Sequence, residues 1–138
     1  EVTTEGGLDL NKISISKLNS LLQICAKQNI QLSAFVNPQK KTIDLAKKLG
    51  FNTVELHTGS LDTDNIKQKD VNRINDMIDY AHKAKLIVNI GHGLNFKNIK
   101  YIKKKSLIDT VHIGHFIISE AIFLSLKKTI LRFKVLMK

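Results

Sequence analysis

Three segments of the chain hold the residue types that handle phosphate groups and protons. They are Glu55-Leu56-His57-Thr58-Gly59, Gly91-His92-Gly93 and Gly114-His115. Glycine lets the backbone approach a ligand closely, and its amides form an anion site where a helix begins directly afterwards. Histidine exchanges protons near neutral pH, and a carboxylate such as Glu55 inside an apolar run needs a polar partner. The segments predict a site that binds phosphate and moves protons.

Each segment lies at the end of a short apolar run, which predicts a β-strand. The runs begin near residues 32, 53, 86 and 110, and each is almost continuously apolar. That pattern is typical of parallel strands buried on both faces. Helical patterns separate the runs: Asn37-Pro38 predicts a helix start with asparagine as the N-cap, and Asn95 predicts a short helix. A last helix is predicted from about Phe116 to the C-terminus.

The alternation of strands and helices predicts an α/β fold with right-handed crossovers. Two architectures fit it: a small open, doubly wound sheet, or half of a (β/α)8 barrel, whose usual size is about 250 residues. In both, ligands bind at the carboxyl ends of the strands. We therefore expect the histidines and glycines of the three segments to lie together at one edge of the sheet.

The chain is strongly basic, with a formal net charge of +10 among 138 residues. All of its 22 basic residues except Arg73 and Arg132 are lysine. Proteins that recognise phosphates and base edges specifically favour arginine instead. The aromatic residues do not interleave with the lysines as a single-strand stacking platform requires. The charge therefore indicates a solvated lysine-rich surface, with attraction of anionic small substrates as a second effect.

Several function classes lack their motifs in this sequence. Cys25 has no partner for a disulfide, which fits a reducing, cytoplasmic compartment. The sequence contains no Walker loop, GxGxxG loop, HExxH zinc motif or GxSxG elbow. Its apolar runs are shorter than the ~20 residues of a membrane-spanning helix. These absences argue against nucleotide hydrolysis, dinucleotide binding, a zinc site and a serine triad.

The sequence resembles the pyridoxine 5′-phosphate synthase family at residues 1–9, 55–59, 88–94 and 113–115, in the family's order. The resemblance implies a TIM barrel, with residues 1–138 as the carboxyl-terminal half of a single domain and about its last four βα units. It implies condensation of 1-deoxy-D-xylulose 5-phosphate with 3-amino-2-oxopropyl phosphate in vitamin B6 biosynthesis. It also implies a cytoplasmic homo-oligomer, typically an octamer, that needs no metal or organic cofactor and has no nucleic-acid or membrane partner.

The resemblance also implies roles for individual positions. His92 would donate protons during ring formation, and Glu55 would stabilise charge in the transition state. The implied substrate contacts are Thr3 with the deoxyxylulose phosphate, and Gly93, Gly114 and His115 with the aminooxopropyl phosphate.

The family's other catalytic groups would come from the first half of the barrel, which leads us to expect weak phosphate binding and no turnover by this chain alone. Two other functions stay open from the residues themselves. One is another phosphosugar barrel enzyme, an aldolase or epimerase, and a Schiff-base lysine at a strand end would favour the aldolase. No lysine lies within the strand runs, although Lys85 directly precedes the third. The other is a basic nucleic-acid-binding module.

Overall fold

The structure is a computed structural model that describes residues 6–138. The strands are β1 (Ser33–Val36), β2 (Thr53–His57), β3 (Ile87–Gly91) and β4 (Thr110–His112). The helices are α1 (Ile15–Lys27), α2 (Lys40–Lys48), α3 (Gln68–Lys83), α4 (His115–Leu124) and α5 (Leu126–Leu136). Short 3-10 turns occur at Leu10–Lys12, Gly59–Leu61, Ile99–Tyr101 and Lys105–Leu107. Over the described range, no helix has the length and apolar character needed to cross a membrane.

The strands of this range form one parallel sheet in the order β1-β2-β3-β4. Each strand pairs with the next one in the chain, and between residues 6 and 138 the order does not reverse. A doubly wound sheet reverses its order at a switch point, whereas a (β/α) barrel adds its strands in sequence. The observed winding is that of a (β/α) barrel, which confirms the barrel prediction over the open doubly wound sheet.

The two faces of the sheet differ in polarity. One face carries an apolar row across neighbouring strands, fully buried against the helices: Val36, Leu56 and Ile90. Because side chains alternate along a strand, the adjacent row lies on the opposite face, and it consists of Phe35, Glu55 and Asn89. The strands are therefore apolar on one face only, and Glu55 lies on the polar second face. Its polar side chains are available to line a site.

The core lies between the apolar face and the helices that cover it. Ile43 and Ala46 of α2 and Ile74 and Ile78 of α3 are fully buried. Their spacing of three and four residues places each pair on one side of its helix. Full burial of an isoleucine side chain stabilises a fold by about 1.5–3 kcal/mol, so this packing fixes the strands whose carboxyl ends carry the site.

Two helix starts that the sequence predicts have different outcomes. Helix α2 begins at Lys40 rather than at Asn37-Pro38, and the Asn37 side chain instead accepts a hydrogen bond from the backbone N–H of Gly7 at 3.1 Å. The Asn95 side chain accepts the N–H groups of Lys97 and Asn98, at 2.8 and 2.9 Å, as an N-cap residue does. The helical turn that follows is short and ends as the 3-10 turn at Ile99–Tyr101.

The predicted single C-terminal helix is two helices, α4 and α5, which meet at Ser125. Ser125 has a positive φ of 72°, a conformation that ends a helix and that few residues other than glycine adopt. The break lets α5 fold back, so that Phe133 packs against Phe96 and Phe116 with ring centroids 4.6 and 5.9 Å away. Packing between distant aromatic rings therefore overrides the local helical pattern.

Candidate functional site

A cleft of about 1010 Å³ opens at the carboxyl end of the sheet. Its lining includes side chains or backbone of the strand-end residues that the sequence singles out: Glu55, His92, Gly93, Gly114 and His115. Thr3 lies outside the described residues. The structure thus brings the acid, the histidines and the glycines into one cavity, as the fold prediction requires.

Glu55 contacts a histidine that is not among the predicted site residues. Its Oε2 lies 2.6 Å from Nδ1 of His112, the last residue of β4. The Glu55 side chain is 19% exposed and that of His112 is 45% exposed, so both reach the cleft. The expected polar partner of Glu55 is therefore His112. Sequence reasoning missed it because His112 lies within a short apolar run, and only the register of the strands could have exposed it.

The loop that carries His92 is held in an unusual conformation. His92 has a positive φ of 76°, in a region that costs a non-glycine residue about 1–2 kcal/mol. The buried Thr58 holds this turn: its hydroxyl lies 2.7 Å from the carbonyl oxygens of both Gly91 and His92. The N–H of Thr58 also donates to the Gly91 carbonyl at 2.8 Å. These contacts hold the backbone of the turn in this conformation and offset the strain at His92.

His57 supports the His92 ring from the side of the sheet. The two imidazoles stack with centroids 4.7 Å apart and an angle of 26° between their planes. The rings of Phe35 and His57 pack in a T-shaped arrangement, with centroids 5.4 Å apart. Burial lowers the pKa of His57 below its usual value, and the neighbouring His92 lowers this pKa further. The stack therefore favours an uncharged His57 beside His92.

Replacement of His57 by phenylalanine is expected to make folding less sensitive to acid. Because the pKa of His57 is lowered in the folded state, the unfolded chain takes up a proton first as the pH falls below about 6.5. Folding stability is thus lost on acidification, until the pH passes the lowered folded pKa. The free energy of unfolding, measured in urea at about pH 7.5 and about pH 5.5, should fall less in H57F than in the unmodified chain.

The exposed His82 on α3 provides a matched control, since H82F removes a histidine outside the stack. An acid-induced loss of stability as large in H57F as in the unmodified chain would contradict the inferred role of His57.

The two glycine segments lead into different structures on their carboxyl sides. Gly114 is the N-cap residue of α4, and the first N–H groups of a helix lack partners within the helix, so this end of the cleft suits an anion. The expected helix start is absent after Gly93, where the chain continues as a loop. There Asn98, which is buried, donates from Nδ2 to the carbonyl oxygens of Gly93 and Leu61 at 2.7 and 3.0 Å. Gly93 is therefore held by a side chain rather than by a helix.

The cleft therefore has two chemically distinct parts. Gly93 and the start of α4 offer backbone N–H groups to an anion, whereas Glu55 and His92 offer a carboxylate and an imidazole for proton transfer. Between residues 6 and 138, no three His, Cys, Asp or Glu side chains converge to hold a metal ion. The arrangement supports binding of a phosphorylated molecule and proton transfer to it within one cleft.

Comparison with known proteins identifies relatives along the whole sequence. The profile of the family described as "Pyridoxal phosphate biosynthesis protein PdxJ" matches residues 1–138. A protein of Prochlorococcus marinus (strain MIT 9312), described as pyridoxine 5′-phosphate synthase, is 37% identical over 138 residues, covering 99% of this chain and 58% of the relative. Similarly described proteins of Ehrlichia canis (strain Jake) and Blochmanniella floridana are each 38% identical, over 97% and 100% of this chain and 56% and 57% of their own lengths. The chain thus spans less than two thirds of the length of these relatives.

Proposed function

Because the chain belongs to the PdxJ family of pyridoxal phosphate biosynthesis proteins, we propose that its cleft is part of the active site of a pyridoxine 5′-phosphate synthase. The reaction condenses 3-amino-2-oxopropyl phosphate with 1-deoxy-D-xylulose 5-phosphate and yields pyridoxine 5′-phosphate, phosphate and water. One observation carries the proposal: a carboxylate, an imidazole and a helix N-terminus line the same cleft, at the carboxyl end of a parallel sheet.

The phosphate of 3-amino-2-oxopropyl phosphate binds at the glycine end of the cleft. Gly93 and the N-terminus of α4, with Gly114 and His115, supply N–H groups for its oxygens. The net charge of +10 adds a field that attracts both phosphorylated substrates. Thr3 contacts 1-deoxy-D-xylulose 5-phosphate in this proposal, on the grounds of the family resemblance alone.

His92 donates the protons that ring formation requires. Imine formation and the later losses of water each need an acid near the departing oxygen, and an imidazole serves this purpose near neutral pH. The fixed backbone at His92 and the stack with His57 hold the donor in one place. Glu55 provides a carboxylate that stabilises positive charge as it develops in the transition state.

Turnover requires more than these 138 residues in the proposed enzyme. The match covers 58% of the Prochlorococcus marinus relative, and within the described range the edge strands β1 and β4 are not paired with each other. The cleft needs further groups to surround two substrates. These groups would come from the other half of a single barrel domain, of which the present residues form one half. In this proposal the protein is a cytoplasmic homo-oligomer that binds neither nucleic acid nor a membrane.

The proposal is tested by product formation in a hybrid enzyme, in which this chain is coexpressed with the segment of the Prochlorococcus marinus relative outside the matched region. We expect pyridoxine 5′-phosphate from both substrates with the hybrid and none with the chain alone. Steady-state product formation by the chain alone would contradict the need for additional groups. An inactive hybrid, purified as a stable complex, would contradict the proposed function.

A further inference from the structure

The Glu55–His112 contact spans a whole strand of the sheet. Glu55 is on β2 and His112 on β4, with β3 between them. Neighbouring strands lie about 4.8 Å apart, so the two backbones are separated by roughly twice that distance. The contact of 2.6 Å therefore exists only because both side chains reach over β3 from opposite sides.

Gly91 is the residue that makes this reach possible. It is the register partner of His112 on β4, so both stand at the same level of the sheet. A Cβ atom at position 91 would lie 2.2 Å from Oε1 of Glu55 and 3.1 Å from Cβ of His112. Any side chain here would occupy the space in which the carboxylate lies. Glu55, Gly91 and His112 thus form one unit, the strand-crossing bridge.

The bridge fixes the direction of the carboxylate. Oε2 of Glu55 is held by the His112 ring, which leaves Oε1 above Gly91 at the cleft. A hydrogen bond with a charged partner is stronger than a neutral one, so it limits the rotation of the carboxylate more effectively. A salt bridge this exposed adds little to folding stability. Its main effect is to set the orientation of the Glu55 carboxylate.

We propose that His112 is a positioning residue, which orients Glu55 for its role in the reaction through a hydrogen bond across Gly91. The inference rests on the proposed function, because Glu55 is the group through which His112 acts. His112 need not touch the substrate, and its effect is on kcat rather than on phosphate binding, which takes place at Gly93 and Gly114.

The contact itself is tested by NMR on the 138-residue chain with ¹⁵N-labelled histidine. Replacing Glu55 by leucine should shift the ring ¹⁵N resonances of His112 and leave those of His82 on α3 unchanged. Ring resonances of His112 that do not respond to E55L would overturn the inference, whether or not the hybrid enzyme is active. This measurement therefore separates failure of the bridge from failure of the proposed function.

The role is tested by kinetics of the hybrid enzyme. We expect H112L to lower kcat about 10-fold to 100-fold, with the KM for 3-amino-2-oxopropyl phosphate within about twofold of that of the unmodified hybrid. H112N should restore most of kcat, because its amide places an N–H donor near the position of Nδ1. G91A should reproduce the loss with His112 present.

H82L is the control for loss of a histidine, since His82 is exposed on α3. An unchanged kcat in H112L, or an equal loss in H112N and H112L, would overturn the positioning role.

Discussion

Replacing His92 by asparagine in the hybrid enzyme is expected to lower kcat about 10²-fold to 10⁴-fold, the range that general acid catalysis contributes. The KM values for both substrates should change far less, because the proposed phosphate contacts are made by backbone N–H groups. The measurement is steady-state formation of pyridoxine 5′-phosphate, with each substrate varied in turn while the other is kept at a saturating concentration.

Asparagine is the appropriate substitution because it separates proton donation from backbone geometry. His92 has a φ of 76°, and asparagine adopts the left-handed region more readily than most residues. The hydrogen bond from Thr58 to the His92 carbonyl uses a backbone acceptor and survives the change. H82N removes an exposed histidine on α3 and serves as the control. Near-normal kcat in H92N would contradict the assignment of His92 as proton donor.

Replacing Gly93 by alanine is expected to lower the free energy of unfolding by about 2–4 kcal/mol. Gly93 has a φ of 69°, which an alanine adopts at a cost of about 1–2 kcal/mol. The added methyl group would also lie 2.6 Å from Cβ of Asp62, an atom fixed to the backbone that cannot rotate away. Urea unfolding of the 138-residue chain measures the combined effect.

Gly6 provides the matched control for this change. Its φ is not positive, and a Cβ at position 6 would have no atom within 4 Å, so G6A should leave the stability of the chain nearly unchanged. Equal stability of G93A and G6A would show that the positive φ and the contact with Asp62 do not constrain Gly93.

The sequence predicts those parts of the fold that depend on local pattern. The strand starts near residues 53 and 110 agree with β2 and β4, because short apolar runs between helical patterns are a local signal. The break at Ser125 was not predictable, since no glycine or proline marks it and the packing of Phe133 on Phe96 comes from distant segments. The prediction of a helix start at Asn37 was wrong for a similar reason, because the Asn37 side chain bonds to Gly7, a residue distant in sequence.

The candidate site shows the same limit. The position of Glu55, His92 and Gly114 at one end of the sheet agrees with the rule that parallel strands end together. The partners of these residues depend on strand register, which the sequence does not reveal. His112 reaches Glu55 across β3, and Thr58 bonds to a loop 34 residues away in sequence, so both were missed. The chemical roles came from the family resemblance, and geometry adds the contacts that support them.

The central claim is that this cleft binds a phosphorylated substrate at its glycine end. It is tested most directly by NMR titration of the ¹⁵N-labelled 138-residue chain with 3-amino-2-oxopropyl phosphate, with aminoacetone, in which hydrogen replaces the phosphate ester group, as the control ligand. We predict saturable but weak shifts of the backbone amides of Gly93, Gly114 and His115, and much smaller shifts with aminoacetone. Equal responses to both ligands, or shifts confined to lysine-rich surfaces such as that of α2, would contradict the claim.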